Sequence, residues 1–277
     1  MPIDIASGGT KLAEEDLCYM VDPANECAAE EALHIKESRP ETEVILLSLG
    51  PPRVERALRH CLAMGADRAI RLWDSAFTNI DAFVRARILA QAISNLGADL
   101  ILCGSRSQDT DEGQTPGIMA DLLNLPQVTA VTKLQLSADF THANLERKLD
   151  RGDRELVECP LPALLSLEVG INQPRYSALP QFIQALLSPI QILGMSDLGL
   201  SYSDVGPNAS LTNLVRFSAP RPRTKKKLVI EGSLSPDERI RMLSTGGISE
   251  KKSDLWQGSA KDLAKRFADL LRKEGYV

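Results

Sequence analysis

The stretch VILLSLGPP, residues 44–52, predicts the fold class of this chain. Its first six residues are a short apolar run of the kind that forms a buried strand, and Gly50-Pro51-Pro52 ends the run with a turn. Apolar residues then recur at helical spacing from Val54 to Leu62, which predicts an amphipathic helix. A strand, a turn and a helix in this order form one unit of a repeating pattern.

The same alternation continues along the chain. Short strands are predicted at residues 69–72, 99–103 and 128–131, and helical stripes lie between them. Strands that alternate with crossover helices form a parallel sheet with helices on both faces, so we expect a Rossmann-like α/β fold. Ligands of such sheets bind beyond the carboxyl ends of the strands. The turns after Leu49 and Cys103 are therefore the places to look for a site.

Other elements flank this repeat. Asp22-Pro23 combines an N-cap acid with a proline at the first helical position and opens a helix that continues to Glu37. Residues 133–168 contain short strands separated by polar turns, which is typical of β-hairpins or a meander. Residues 196–277 are predicted to be an extended C-terminal arm that ends in an amphipathic helix capped by Ser259.

Composition excludes several classes of function. The net charge of −5 and the aromatic content of 4% argue against nucleic acid and anionic membranes as partners. No run of about 18 apolar residues and no export signal is visible, so we expect a cytoplasmic protein. The cysteines and histidines are scattered, which indicates reduced thiols and no metal site. For the basic run at residues 221–227, a solvated arm, a nucleic-acid patch and an anchor on an acidic partner remain open.

The most informative segment is GSRSQDTDEGQTPG, residues 104–117, which follows a predicted strand and opens a helix. Small residues allow backbone N–H groups to approach a ligand, and a helix N-terminus favours an anion. Gln114 and Thr115 add side-chain donors for a phosphate. Asp109, Asp111 and Glu112 have three open roles: to cap the helix, to hold the loop, or to accept ribose hydroxyls. The segment is neither a Walker A motif nor a GxGxxG fingerprint, so a plain solvated loop also remains open.

Several collinear motifs resemble those of electron-transfer flavoprotein β subunits. The loop above is similar to the family's D-x-D-x-x-Q-T run. Residues 22–32 resemble its N-P-x-(D/C)-E…A-V-E-E-A stretch, and residues 62–69 nearly repeat its A-M-G-A-D-R-A. Residues 147–163 are similar to its R-x-x-D-x-G…L-P-A signature, with one extra residue before the proline. Residues 172–180 resemble its N-E-P-R-Y-A-x-L-P, and the whole resemblance covers about residues 16–200.

The resemblance implies a β subunit that pairs with an α subunit carrying FAD. Residues 1–195 would be a nucleotide-binding α/β domain that holds AMP, and residues 196–277 would pack on the α subunit. Electrons would pass from flavoprotein dehydrogenases to a membrane or other acceptor. One alternative is a bifurcating subunit with its own FAD that oxidises NADH, and another is a stand-alone adenine-nucleotide-binding protein. The chemistry would belong to the cofactor, so the resemblance implies an electron-carrier subunit rather than a classical enzyme, and no catalytic residue is expected.

The resemblance also implies which residues bind. The nucleotide contacts would be Asp22, Pro23, Ala24, Asn25, Leu49, Gly104, Ser105, Arg106, Ser107, Gln108, Asp109, Thr110, Asp111, Glu112, Gly113, Gln114 and Thr115, with the phosphate at the last two. Partner docking would use Tyr176, Leu179 and Pro180 in a recognition loop of about residues 172–187, with the leucine as an exposed anchor for a dehydrogenase.

Three departures from the family bear on these expectations. The family's opening strand precedes the motifs and is missing here, which we expect to reflect a start placed too late, because losing a central strand exposes two edges. Gly113 stands where AMP-type members carry asparagine and bifurcating members carry alanine, and so small a residue leaves room for the larger FAD. Thr110 fits neither pattern, but Thr115 is typical of the AMP class, which we favour. The family's lysine-rich stretch after the recognition loop is replaced by residues 184–188, which predicts another partner or less electrostatic docking.

Overall fold

The computed structural model describes residues 17–213 together with 215, 235–237, 239–240, 256 and 258–273. Its internal contacts divide the chain into one unit of residues Met1–Ser218 and a second of residues Ala219–Val277. The strands of the first unit are β1 (Ile45–Leu49), β2 (Arg68–Leu72), β3 (Leu100–Gly104), β4 (Gln127–Leu136), β5 (His142–Lys148), β6 (Arg154–Pro160), β7 (Ala163–Leu167) and β8 (Ile190–Leu193). Its helices are α1 (Pro23–Ser38), α2 (Glu55–Met64), α3 (Ala82–Leu96), α4 (Thr115–Leu123), α5 (Leu179–Leu187) and α6 (Tyr202–Val205).

The strands of the first unit form two sheets. A three-stranded parallel sheet has the order β1-β2-β8, and a five-stranded sheet has the order β3-β7-β4-β5-β6. In the larger sheet β3, β7 and β4 run parallel, while β5 and β6 extend it as antiparallel strands. The predicted α/β class, with a parallel sheet and an added hairpin region, is confirmed.

Strand β7 is the element that the sequence pattern placed least well. Its residues Ala163–Leu167 follow the hairpin strands in sequence, but they pair in parallel with both β3 and β4. Every residue of β7 is buried, and the run ALLSL has the continuous apolar character of a strand covered on both faces. Strand β7 therefore returns the chain to the middle of the sheet, beside the loop that follows β3.

The core lies on both faces of the larger sheet. On one face Leu165 and Leu167 pack with Val131 and with Ala28 of α1. On the other face Leu164 packs with residues of α3, β3 and α4. By contrast β1, predicted as a buried strand, is half-buried at every position and stands at the edge of its sheet in the described part of the chain. The expectation of a further opening strand concerns sequence ahead of residue 17, outside the described residues.

The region after residue 195 differs from a solvated arm in its first part. Leu198 and Val205 are fully buried in the cluster that covers β2 and α3, so this stretch belongs to the core of the first unit. The boundary predicted at residue 195 thus differs from the structural division at residue 218. The basic run at residues 221–227 lies outside the described residues.

The second unit contains the predicted C-terminal helix, α7 (Ala260–Lys273). The Ser259 hydroxyl accepts a hydrogen bond from the backbone N–H of Asp262 at 3.3 Å and donates one to its carboxylate at 2.6 Å. This pairing is the N-cap that the sequence predicted.

Candidate functional site

A crevice of about 460 Å³ opens beyond the carboxyl ends of β3 and β7. Its walls are the start of α1, the loop after β3, Ala130 of β4, the end of β5 with the turn after it, and the two residues that follow β7. Its lining residues are Asp22, Ala24, Ser105, Arg106, Ser107, Gln108, Asp111, Ala130, Lys148, Leu149, Asp150, Glu168 and Val169. The crevice therefore lies where a parallel sheet places its ligands.

The first turn of α1 is joined directly to the loop after β3. One carboxylate oxygen of Asp22 caps α1 by accepting the N–H of Ala24 at 3.0 Å, and the other accepts the N–H of Gln108 at 2.8 Å. The side-chain oxygen of Asn25 accepts the N–H of Gly104 at 2.8 Å. A Cβ at Gly104 would lie 2.9 Å from the Cβ of Ala24, so only glycine allows this approach. The two predicted segments thus form a single wall.

Asp109 is fixed by hydrogen bonds within the loop. Its carboxylate accepts the N–H of Thr110 at 2.8 Å, and the hydroxyls of Ser107 and Thr110 lie 2.9 Å apart. The hydrogen bond from Ser107, aided by the N–H of Thr110, outweighs burial and lowers the pKa of Asp109. Asp109 therefore stays ionised and holds the shape of the loop.

The other two acids of the loop pair with arginines. Glu112 lies 2.8 Å from the guanidinium of Arg85 on α3, and Asp111 lies 3.4 Å from that of Arg106. Of the three roles left open by the sequence, these contacts directly support the second, in which the acids hold the loop. Both pairs are partly exposed, so each contributes little to overall stability.

The N-terminus of α4 follows the loop. Gln114 is the N-cap residue, but its side chain makes no capping hydrogen bond, and Pro116 stands in the first turn. The first amides of α4 are thus without a side-chain cap, which leaves donors for an anion. Gln114 is exposed and Thr115 half-buried.

The predicted nucleotide residues divide into two groups. Those that line the crevice are Asp22, Ala24, Ser105, Arg106, Ser107, Gln108 and Asp111. Those that do not line it are Pro23, Asn25, Leu49, Gly104, Asp109, Thr110, Glu112, Gly113, Gln114 and Thr115. Leu49 packs instead against the core cluster around β2. The loop is therefore assembled with the start of α1, whereas Leu49 at the end of β1 lies outside the crevice.

Sequence reasoning missed the wall that the larger sheet supplies: Ala130, Lys148, Leu149, Asp150, Glu168 and Val169. Glu168 directly follows β7 and accepts a hydrogen bond from the Ser105 hydroxyl at 2.6 Å. Ala130 has a positive φ of 56° within β4, where the register with β7 shifts. Glu168 stands immediately after a buried apolar strand, as Gly104 does at the end of another, and that position was the available signal.

The residues predicted for docking lie on an exposed apolar segment, residues 176–187, which we term the docking segment. Tyr176 is 98% exposed and Leu179, which begins α5, is 69% exposed. Pro180 is also exposed, and Leu187 is 81% exposed. The recognition loop therefore continues into a helix. Further large apolar side chains exposed on that helix are Phe182, Ile183 and Leu186.

The docking segment is anchored on α2 at its far end. Ala185 is the buried residue of α5. Arg59 of α2 donates hydrogen bonds to the carbonyl oxygens of Ala185, Leu186 and Ser188 at 2.7, 2.9 and 3.1 Å. An arginine at this position satisfies the last carbonyls of the helix and complements its dipole.

Within the described residues, no group of three or more potential metal ligands comes together. The helices described for this chain include none that is long and apolar enough to span a membrane.

The family model described as "Electron transfer flavoprotein domain" matches residues 9–187. The chain is 36% identical over 233 residues to the electron transfer flavoprotein subunit beta of Methylophilus methylotrophus, covering 84% of this chain and 88% of that protein. It is 31% identical over 234 residues to the subunit of the same name from Bacillus subtilis, covering 84% and 89%. It is also 36% identical over 210 residues to the caffeyl-CoA reductase-Etf complex subunit CarD of Acetobacterium woodii, covering 76% and 79%.

Proposed function

Because this chain belongs to the electron transfer flavoprotein family and resembles its β subunits, we propose that it pairs with an α subunit and itself binds AMP. The α subunit carries FAD, which supplies the electron-transfer chemistry when bound. Electrons pass from a flavoprotein dehydrogenase through this pair to a membrane or other acceptor. The observation that carries the proposal is the uncapped N-terminus of α4 behind a loop locked onto the start of α1.

This arrangement fits an adenylate. The amides that open α4, together with the side chains of Gln114 and Thr115, are donors for the phosphate. The close approach of Gly104 to Ala24 brings the loop and α1 together at the edge of the sheet. Asp111 and the neighbouring loop groups supply acceptors for ribose hydroxyls. The role of this chain is to bind and orient, which agrees with the family's use of cofactor chemistry.

Gly113 favours AMP over a second FAD. Its φ of 62° lies in the left-handed region, which glycine and asparagine adopt more readily than alanine. An asparagine, as AMP-type members carry, would suit this backbone, whereas an alanine would be strained on it. Glycine at this position is thus explained by the backbone, without any need for a larger cofactor. The second candidate, a bifurcating subunit with its own FAD, is favoured by the similarity to the CarD protein.

We assign the docking segment to the dehydrogenase partner. Leu179 is exposed at the start of α5, and residues 181–187 of that helix, QFIQALL, carry no charge. An anchor of this kind makes its contribution by entering an apolar pocket of the partner. The absence of lysines from the segment predicts an association that depends only weakly on salt.

Cofactor identification tests the main proposal. The chain is co-expressed with a candidate α subunit, and the nucleotides released from the purified heterodimer are identified and quantified. One AMP and one FAD per heterodimer are expected. Two FAD molecules would refute AMP in favour of the second candidate. A stable nucleotide-binding monomer that ignores every α subunit would instead support the stand-alone alternative.

A charge change at Gln114 tests the phosphate position. Gln114→Glu places a negative charge where the phosphate is proposed, so AMP affinity should fall by at least about tenfold. The same charge is favourable at the N-terminus of α4, so the fold should be unharmed. Gln135→Glu on β4, outside the crevice, is the matched control and should bind AMP normally. Equal AMP content in both variants would rule out a phosphate at Gln114.

A further inference from the structure

An ion pair between half-buried Arg175 and buried Glu30 joins the chain just before the docking segment to α1. The carboxylate of Glu30, 2% exposed as a residue, accepts hydrogen bonds from Arg175 at three positions: the backbone N–H at 3.1 Å, Nε at 3.0 Å and Nη2 at 2.8 Å. The remaining guanidinium nitrogen of Arg175 donates to Glu37 at 2.5 Å. Burial raises the pKa of Glu30, but the hydrogen bonds and the charge of Arg175 outweigh this effect. The net pKa is lowered, so this carboxylate is ionised.

A second contact lies three residues earlier. The side-chain nitrogen of Asn172 donates to the carbonyl oxygen of Cys27 at 2.9 Å and to the carboxylate of Glu31 at 2.8 Å. Residues 172–175 are thus held along the second and third turns of α1, although they form no strand or helix of their own.

The same helix holds the nucleotide loop at its other end. Asp22 and Asn25, in the cap and first turn of α1, accept hydrogen bonds from Gln108 and Gly104 of that loop. Helix α1 therefore sets the distance between the loop and the residue that precedes Tyr176. Because a bidentate arginine fixes direction as well as distance, it defines where the exposed tyrosine and Leu179 emerge.

Burying the carboxylate of such a pair is a poor way to gain stability, since its desolvation offsets the attraction of the two charges. Its geometric effect is large, because Arg175 is followed at once by the nearly fully exposed Tyr176. The far end of the docking segment is held separately by Arg59. Without the pair, the stretch between Asn172 and α5 would keep its charged contact with exposed Glu37, but it would lose the contact that fixes Arg175 against the side of α1.

We propose that Arg175 and Glu30 are positioning residues, which hold the docking segment in a fixed orientation on α1 and so in register with the nucleotide loop. The inference rests on the docking role proposed above. The orientation of the docking segment is set by the ion pair of Arg175 with buried Glu30, and not by its ion pair with exposed Glu37.

Hydrogen exchange with mass spectrometry tests this on the purified heterodimer. Arg175→Ala and Glu30→Gln should speed exchange in peptides covering residues 176–182 by about tenfold or more. Glu37→Ala is the matched control, because it removes the exposed partner of the same guanidinium, and its effect should stay below about threefold. Arg175→Lys keeps the charge but loses the planar fork, and it should fall between the two. Peptides from residues 105–114 and the nucleotide content should match the wild type.

Three outcomes would overturn the inference. One is wild-type exchange at residues 176–182 in Arg175→Ala and Glu30→Gln. Another is equal acceleration in every peptide, which would mean a general structural role. The third is an effect of Glu37→Ala as large as that of Glu30→Gln. Nucleotide analysis of the same samples separates this test from the main proposal: a heterodimer lacking AMP and FAD contradicts the proposed function, whatever the exchange shows.

Discussion

Substitution of Gly104 by alanine tests the contact on which the site is built. The added Cβ would lie 2.9 Å from the Cβ of Ala24 and 3.2 Å from both the backbone nitrogen and the side-chain nitrogen of Asn25. Carbon atoms pack at about 3.5–4.0 Å, so α1 must move away from β3 by roughly 1 Å. Overpacking of this kind costs about 1–3 kcal/mol. The movement would also lengthen the hydrogen bond from Gly104 to Asn25.

Unfolding of the heterodimer by urea and by heat measures the cost. For a domain of this size each 1 kcal/mol corresponds to about 2–4 °C, so the melting temperature should fall by roughly 2–12 °C. AMP retention should fall with it, because α1 and the loop form one wall. Gly117→Ala is the matched control: its Cβ would meet only Gln127, at 3.6 Å, and alanine favours the helix, so stability should be unchanged or higher. A Gly104→Ala variant as stable as Gly117→Ala would refute the reasoning.

Two further predictions concern other parts of the first unit. Asp81 caps α3 and accepts the N–H groups of residues 211–212, so Asp81→Ala should cost about 1 kcal/mol in urea unfolding at pH 7. Burial raises the pKa of Asp81, but these hydrogen bonds lower it on balance. The difference in the free energy of unfolding between wild type and variant should therefore shrink as the pH falls below about 3.9, and a constant difference would contradict this. Burial raises the pKa of the Cys61 thiol to about 12, with a smaller contribution from the charge of Glu26, and burial also raises the pKa of the Cys103 thiol to about 12. A thiol reagent at pH 8 should therefore label exposed Cys18 first in the folded protein. Labelling of all three at equal rates, measured by mass spectrometry, would contradict that prediction.

Local pattern was sufficient for most elements. The start of α1 at Pro23, with Asp22 as its cap, and strands β1 to β3 lie within a residue or two of their predicted positions. These elements follow from chemistry confined to a few neighbouring residues: capping, turn residues and apolar spacing. The parallel position of β7 could not be predicted in this way, because its partners β3 and β4 are distant in sequence.

The candidate site shows the same division. The loop of residues 104–115 was predicted from its position after a strand, and the family resemblance named the loop and the start of α1 together as nucleotide contacts, but the hydrogen bonds that join the two were not predicted. The wall containing Glu168 and Lys148 was missed, because Lys148 ends and Glu168 follows a strand that the sequence assigned to hairpins. The helical form of the docking segment after Leu179 was also missed, since Pro180 marked it as a loop, although proline is well suited to the first turn of a helix.

The sequence by itself determined the class of fold and the family, and it predicted the nucleotide-binding role of the loop after β3 and the docking role of Leu179. Capping groups, glycines and apolar periodicity act over a few residues, and family motifs are read directly. Only the tertiary structure decided that β7 lies between β3 and β4, that Glu30 is the partner of Arg175, and that Glu112 and Asp111 of the loop pair with Arg85 and Arg106. Sheet order and ion pairing between distant segments depend on which surfaces can be buried together, and this cannot be predicted from a few neighbouring residues.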